Sequence, residues 1–169
     1  MKTEHQIVQG KSPKQLAFTT ITGFIALGFG SGLSPKAPGT MGSLAAMLLA
    51  LPLQFLPPLA YGLMLLVAFG LGIYCCEKTS QCMAVQDPGA IVWDEIVAMW
   101  LVLAFVPADW AWWLSAFLLF RFFDIFKPWP ISWLDRNMKG GSGIMWDDVL
   151  AAVYAIALLL VAQRLLLAS

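Results

Sequence analysis

The sequence IVWDEIVA at residues 91–98 is matched further along the chain by IMWDDVLA at residues 144–151. Each segment contains an aliphatic pair, a tryptophan, two adjacent acidic residues and the start of an apolar run, and each follows a loop that contains glycine. Paired carboxylates at the start of an apolar helix are costly to remove from water, so their repetition indicates a function.

The composition around these segments is typical of an integral membrane protein. Of the 169 residues, 60% are hydrophobic and 12% are charged, and the mean hydropathy is +0.77. Soluble domains carry about 25% charged residues, and a soluble fold of this size has too little interior for so much apolar surface. The formal net charge of zero argues against a nucleic-acid partner.

Apolar runs divided by glycine and proline predict an all-α bundle of about five transmembrane helices. The predicted helices are residues 40–55, 59–78, 90–106, 110–126 and 144–167, with Thr40 as the cap of the first and a loop at 131–143 before the last. The glycine-broken segment 16–33 and the Gly/Pro loop 32–39 predict an N-terminal interfacial or re-entrant helix, followed by a loop that lines a cavity.

The ends of the chain and its basic residues predict a topology. Residues 1–15 are polar and predict a cytoplasmic N-terminus rather than a cleavable signal peptide, and residues 16–169 predict a single membrane-embedded domain. The positive-inside rule then places the C-terminus outside, with Arg164 as the only basic residue on that side. In this topology the cytoplasmic ends of three helices carry five carboxylates: Asp94, Glu95, Asp124, Asp147 and Asp148.

These five carboxylates would repel one another in a pocket of low dielectric constant. Nearby basic residues offset part of the charge, and a bound divalent cation would offset more. The only histidine is His5 in the polar tail, and the three cysteines have no metal-ligand spacing, so an all-oxygen ligand set favours Mg²⁺ over Zn²⁺. Mg²⁺ with arginine and lysine at a membrane face suits a phosphate ester.

Two simpler explanations compete for the acidic residues. A carboxylate in the first turn of a helix gains about 0.3–1 kcal/mol from the helix dipole, which suits one acid per helix better than two in succession. Asp124 is expected in a last turn, where the dipole opposes it, but an ion pair with Arg121 or Lys127, three residues to either side, would explain it.

Five sequence motifs follow one another in order between residues 28 and 148. They are GFGSGLSPKAPGTMGS (28–43), IVWDE (91–95), FRFFDIFKPWPI (120–131), DRN (135–137) and GSGIMWDD (141–148). Together they resemble the phosphatidylglycerophosphatase A family. The resemblance implies a multi-pass, Mg²⁺-dependent phosphatase of the bacterial inner membrane, with its active site facing the cytoplasm. Such an enzyme hydrolyses a phospholipid in the bilayer, phosphatidylglycerophosphate, to phosphatidylglycerol and inorganic phosphate.

The roles expected within the site follow from charge. We expect the metal to be held by all five carboxylates: Asp94, Glu95, Asp124, Asp147 and Asp148. Asp94, Asp124 and Asp148 are the candidates for catalysis, with Asp124 as a metal ligand, a general base or a nucleophile. We expect the phosphate to be bound by Arg121, Lys127 and Arg136, more weakly by Lys36, and by the hydroxyls of Ser34 and Thr40. Attack by an activated water is favoured over an aspartyl-phosphate.

The matching segments also predict a contact. The helices at 90–106 and 144–167 should touch at their cytoplasmic ends, with Asp94 and Asp147 no more than about 15 Å apart.

The alternative function is a small ion- or proton-coupled transporter that uses the same carboxylates. A transporter would place them near the bilayer midplane, whereas here they cluster at one end. A CDP-alcohol phosphotransferase would need a longer Asp/Gly/Arg motif that this chain lacks, and a structural subunit would not need two acidic pairs.

Overall fold

The computed structural model describes residues 10–85 and 88–167, and every regular element in these ranges is a helix. The elements in chain order are α1 (Pro13–Thr19), α2 (Ile21–Ala26), a 3₁₀ helix (Gly28–Leu33), α3 (Pro38–Leu53), α4 (Pro58–Met83), α5 (Trp93–Leu103), α6 (Trp110–Phe126), α7 (Ile131–Asn137) and α8 (Gly140–Leu167). The all-α prediction is therefore confirmed for these residues. Residues 1–9 of the predicted polar N-terminus lie outside the described ranges.

Helix α5 is the centre of the bundle. It packs against α3, α4, α6 and α8, and eight of its 11 residues are buried. Its indole N–H groups bond to backbone carbonyls of the flanking helices, Trp93 Nε1 to Ala68 O and Trp100 Nε1 to Ala46 O, each at 3.0 Å. These bonds satisfy the polar atom of each ring and fix the rotation of α5 between α3 and α4.

Among the described helices, α4 and α8 are long and apolar enough to cross a membrane, with 26 and 28 residues. A full crossing takes about 20 residues. Helices α3 and α6 have 16 and 17 residues, and α5 has 11. The structure thus fits a membrane protein, and the five-span arrangement stays a prediction.

Large apolar side chains cover the outside of the bundle. Exposed examples are Leu48 and Leu51 on α3, Leu59, Leu63, Leu66 and Val67 on α4, Leu118 and Phe122 on α6, and Val153, Leu158 and Val161 on α8. A soluble monomer rarely exposes so continuous an apolar surface, because nothing then removes it from water. The surface is suited to lipid.

The N-terminal helices are short and pack on the bundle near the start of α5. No helix within residues 16–33 exceeds seven residues, which excludes a single span there and agrees with the predicted non-spanning segment. Val92 N donates a hydrogen bond to Ala26 O at 2.9 Å, which joins α2 to the start of α5. Gly32 is required where this layer meets the bundle, because any Cβ there would collide with the Ala90 carbonyl.

Several predicted boundaries are wrong. Helix α4 continues to Met83, past the predicted end at 78, and α5 covers Trp93–Leu103 instead of 90–106. Helix α3 begins at Pro38, a residue favoured in a first turn, so Thr40 lies inside the helix and is not its cap. The predicted loop at 131–143 contains α7, because Ile131 is fully buried and α7 packs on α8. Helix α8 begins at Gly140 rather than 144, since Glu77 Oε2 on α4 accepts a hydrogen bond from Gly141 N at 2.6 Å.

Candidate active site

Three carboxylates from two helices meet where α5 begins. One oxygen from each of Asp94, Glu95 and Asp148 lies within 4.8 Å of the other two. Asp94 and Glu95 stand in the first turn of α5, and Asp148 lies two turns inside α8 with 3% of its surface exposed. The predicted contact between these helices is confirmed, although Asp148 rather than Asp147 completes the group.

Small side chains allow α8 to approach its neighbours closely. Ala151, Ala152 and Ala155 follow Asp148 along α8, and all three are fully buried. Small residues let helix backbones come near each other in a membrane protein. The packing below the acidic residues therefore brings carboxylates of α5 and α8 to the same point.

Several oxygens of this group have no hydrogen-bond partner. Asp94 Oδ1, Glu95 Oε2 and Asp148 Oδ2 are buried and unpaired in the described part of the chain. Buried polar atoms normally have partners, and carboxylates this close repel one another. A divalent cation would resolve both problems, and hard oxygen ligands suit Mg²⁺ better than Zn²⁺. These three residues therefore fit a magnesium site.

Arg121 connects this group to α6. Its Nη1 lies 2.5 Å from Asp124 Oδ2, one turn further along α6, and 3.7 Å from Glu95 Oε1 on α5. Asp124 also interacts electrostatically with Asp148. The predicted ion pair between Asp124 and Arg121 is therefore present. It lies next to Glu95, so it belongs to the same site as the three carboxylates. Arg121 Nε is buried without a partner, which leaves a donor for an anion.

The start of α3 packs directly on this arginine. A Cβ at Gly39 would collide with Glu95 Oε1 and would lie 3.0 Å from Arg121 Nη1. Ala37 precedes the helix without a side-chain capping bond. The uncapped N–H groups of a helix start favour anions. Thr40, a predicted phosphate-binding residue, follows Gly39 in this turn.

Lys127 joins the other acid of α8 to α7. Its Nζ donates to Asp147 Oδ2 and Asp135 Oδ1, both at 2.6 Å. Burial lowers the pKa of Lys127, but attraction by Asp147 and Asp135 more than reverses this, so the pKa lies above its ordinary value of 10.5. Lys127 therefore stays protonated and neutralises Asp147. Asp135 was not among the predicted site residues.

The remaining predicted site residues are Arg136, Lys36 and Ser34. Arg136 is exposed on α7 and lines a cleft of about 220 Å³ together with Lys139 and Asp147. Lys36 is exposed and forms no ion pair in the described part of the chain. Ser34 donates its hydroxyl hydrogen to Lys36 O at 2.8 Å. Arg136 thus shares a cleft with Asp147, an acid of the site.

Glu77 is a residue that the sequence interpretation missed. One of its oxygens accepts the hydrogen bond from Gly141 N, and the other accepts from Gln81 Nε2 at 2.5 Å. The available signal was the single acid in a largely apolar helix, because such a residue usually has a specific partner. By holding the start of α8, Glu77 fixes where Asp147 and Asp148 stand along the bundle.

The capping explanation fits α5 but not α8. Asp94 and Glu95 lie in the first turn of α5, where the helix dipole favours them. Helix α8 has no acidic residue in its first turn, so the dipole does not explain Asp147 or Asp148.

Comparison with known proteins agrees with this chemistry. The family model of phosphatidylglycerophosphatase A matches residues 24–163. The chain is 48% identical over 136 residues to phosphatidylglycerophosphatase A of Escherichia coli strain K12, covering 80% of this chain and 79% of the relative. It is 46% identical over 152 residues to the Haemophilus influenzae protein of the same name, covering 89% of this chain and 93% of the relative.

A third relative, from Bacteroides thetaiotaomicron, is named provisionally as a phosphatidylinositol-3-phosphatase. It is 43% identical over 148 residues, covering 82% of this chain and 91% of the relative. No solved structure matches the chain. The relatives make the chain a phosphatase, a phosphoric monoester hydrolase, and give no support to the transporter alternative. The resemblance carried by the motifs is thereby confirmed, and the chain belongs to the phosphatidylglycerophosphatase A family.

Proposed function

We propose that this enzyme is a Mg²⁺-dependent phosphatase that hydrolyses phosphatidylglycerophosphate to phosphatidylglycerol and inorganic phosphate. The proposed substrate is taken from the name of two relatives, phosphatidylglycerophosphatase A. The observation that carries the proposal is the group of Asp94, Glu95 and Asp148, whose buried unpaired oxygens stand beside Arg121. A phosphate monoester needs this combination, because its negative oxygens must be neutralised before a nucleophile can approach the phosphorus.

The side chains around this group have separate tasks. When bound, Mg²⁺ would supply charge neutralisation of the phosphate and lower the pKa of a water. Arg121 has a free Nε–H that suits a non-bridging phosphate oxygen. Lys127 neutralises Asp147 and keeps that carboxylate off the incoming phosphate.

Asp124 is the residue we assign to proton transfer. In the hydrolysis, the water oxygen bonds to phosphorus, the bond from phosphorus to the glycerol oxygen breaks, and that oxygen takes up a proton. A carboxylate next to the site can accept the proton of the attacking water and return one to the leaving oxygen. Asp124 has this position, since Arg121 holds one of its oxygens beside Glu95.

We further propose that α3, α4, α5, α6 and α8 all cross the bilayer and that the site faces the cytoplasm of a bacterial inner membrane. The lipid-suited faces of α3, α4, α6 and α8 support this arrangement. Helix α5 is short, but the helices around it shield it from lipid, so it need not span the full hydrocarbon thickness by itself.

Release of inorganic phosphate by the purified protein tests this function. We expect release from phosphatidylglycerophosphate in detergent micelles with Mg²⁺, loss of release after EDTA treatment, and recovery when Mg²⁺ is restored. No release in the presence of Mg²⁺ would contradict the substrate, and release that persists in EDTA would contradict the metal. Phosphatidylinositol 3-phosphate is assayed in parallel, because one relative carries that activity in its name.

A further inference from the structure

An apolar groove of about 710 Å³ runs along the first half of α4. Helices α5 and α8 contribute its other walls, and none of its lining residues is charged. Its lining residues include Pro58, Gly62, Leu66, Phe69, Val97, Leu101 and Trp146. Its volume is in the range of about 300–1,000 Å³ that ligand pockets commonly have.

The walls of the groove include residues of α5 and α8 that lie within one turn of the acidic residues. On α5, Val97 and Leu101 follow Asp94 at spacings of three and seven residues, so all three lie on one face of the helix. Val97 and Leu101 form the part of this face that lines the groove. On α8, Trp146 lines the groove and directly precedes the two acidic residues. Its ring contacts Phe69 of α4 edge to face, with centroids 5.1 Å apart, so the two rings stand together at the end of the groove nearest the site.

The length of the groove matches that of one acyl chain. Pro58 and Phe69 mark its extent on α4, and this part of the helix is about 17 Å long at a rise of about 1.5 Å per residue. One acyl chain spans half of a hydrocarbon core of about 30 Å, or about 15 Å. A fatty acyl chain that enters beside the carboxylates can therefore lie along the whole groove.

We propose that this groove binds one acyl chain of the lipid substrate and so positions the phosphate at the carboxylates. The inference rests on the proposed function, since it takes a phospholipid as the substrate. A lipid whose phosphate is held at the site has a chain tethered beside the groove, and tethering gives that chain a high effective concentration over any unattached lipid. Because the chain leaves lipid and not water, packing against the groove walls determines the affinity.

Two glycines of α4 provide a matched experiment. A Cβ at Gly62, inside the groove, meets nothing within 4 Å, and the same holds for Gly70, which does not line the groove. Gly62→Leu adds a side chain to the groove from a position whose Cβ has open space, and Gly70→Leu makes the same change outside the groove. Leu66→Trp fills the groove from an exposed position and serves as a second variant.

The assay compares kcat and KM for phosphatidylglycerophosphate with long acyl chains and for its dihexanoyl analogue. We expect Gly62→Leu and Leu66→Trp to raise KM for the long-chain lipid by about tenfold, because a displaced chain loses on the order of ten carbon–carbon contacts. KM for the dihexanoyl lipid should not change, and Gly70→Leu should match the wild type on both lipids.

Equal effects on both lipids, no effect of either groove variant, or the same selective loss in Gly70→Leu would each overturn the proposal. Wild-type turnover of the two lipids tests the proposed function separately. If the wild type releases phosphate from neither lipid, the assigned substrate fails. If it hydrolyses both, the ratio of the two KM values in the variants decides the role of the groove.

Discussion

Replacing Gly39 with alanine should inactivate the enzyme and leave it folded. The backbone of Gly39 is outside the left-handed region, so alanine brings no conformational strain. The new Cβ would collide with Glu95 Oε1 and lie 3.0 and 3.2 Å from the two Nη atoms of Arg121, where ordinary contacts begin at 3.4 Å. These side chains must move by up to about 1 Å, and such a displacement at a reacting centre lowers kcat by about 100-fold.

The cost in stability should be modest. Overpacking removes about 1–3 kcal/mol from the free energy of unfolding, and the better helix propensity of alanine offsets up to about 1 kcal/mol of this. Gly70→Ala is the control, because its Cβ meets nothing within 4 Å, and it should keep wild-type turnover. Phosphate release and the melting temperature are measured for both variants in the same detergent. Turnover near the wild-type rate in Gly39→Ala would refute the close contact between α3 and the Glu95–Arg121 pair.

Asp124→Asn should lower kcat by about 10²- to 10⁴-fold, since it removes the residue assigned to proton transfer, and normal phosphate release by this variant would contradict the assignment. Lys127→Met leaves Asp147 without its ion pair. It should reduce the free energy of unfolding by about 1–3 kcal/mol, a value that allows for the partial exposure of the pair. An unchanged free energy of unfolding in chemical denaturation would refute this. The raised pKa of Lys127 means that its stabilisation is fully present below its ordinary pKa of 10.5 and is lost only as pH rises through the folded pKa. Lys127→Arg should therefore share the wild-type pH–rate profile across the neutral range, and a shifted profile would show that Lys127 titrates there. Glu77→Gln weakens the bond to Gly141 and should lower the melting temperature, at a cost of about 0.5–2 kcal/mol, with kcat little changed; a large fall in kcat at unchanged stability would mean a direct role in the reaction.

The sequence was sufficient to predict that acids of three helices converge, because helix ends follow local signals. Asp94 and Glu95 come just after a glycine-containing loop, and Asp124 comes just before Lys127 and a proline. These positions fix the end of the helix at which each acid lies. Topology then brings the ends together, as the Arg121 contacts to Asp124 and Glu95 show.

Other features depend on contacts between distant parts of the chain. The cap of α8 comes from Glu77, 64 positions before Gly141, and no local pattern at residues 140–143 reveals it. Helix α7 follows two prolines, which favour a loop, yet burial of Ile131 against the bundle stabilises the helix. Tertiary packing outweighs local propensity in both cases.

The tandem acids of α8 show a further limit of sequence reasoning. Asp147 and Asp148 look equivalent in the sequence, but successive residues of a helix point about 100° apart. Asp148 therefore faces the acids of α5, and Asp147 faces Lys127. The rotation of α8 about its axis determines this choice, and that rotation depends on how the whole bundle packs.

The indole bonds of α5 have a consequence for the selection of lipids. Trp93 and Trp100 tie α5 to backbone carbonyls of α4 and α3, and inside a membrane no water would replace a broken bond. Asp94 and Glu95 follow Trp93 directly, so their depth is fixed along with it. We therefore expect the protein to fix a single depth in the membrane at which the bond from phosphorus to the glycerol oxygen is cleaved. The length of the headgroup, more than its chemical identity, would then determine which lipid phosphates are hydrolysed.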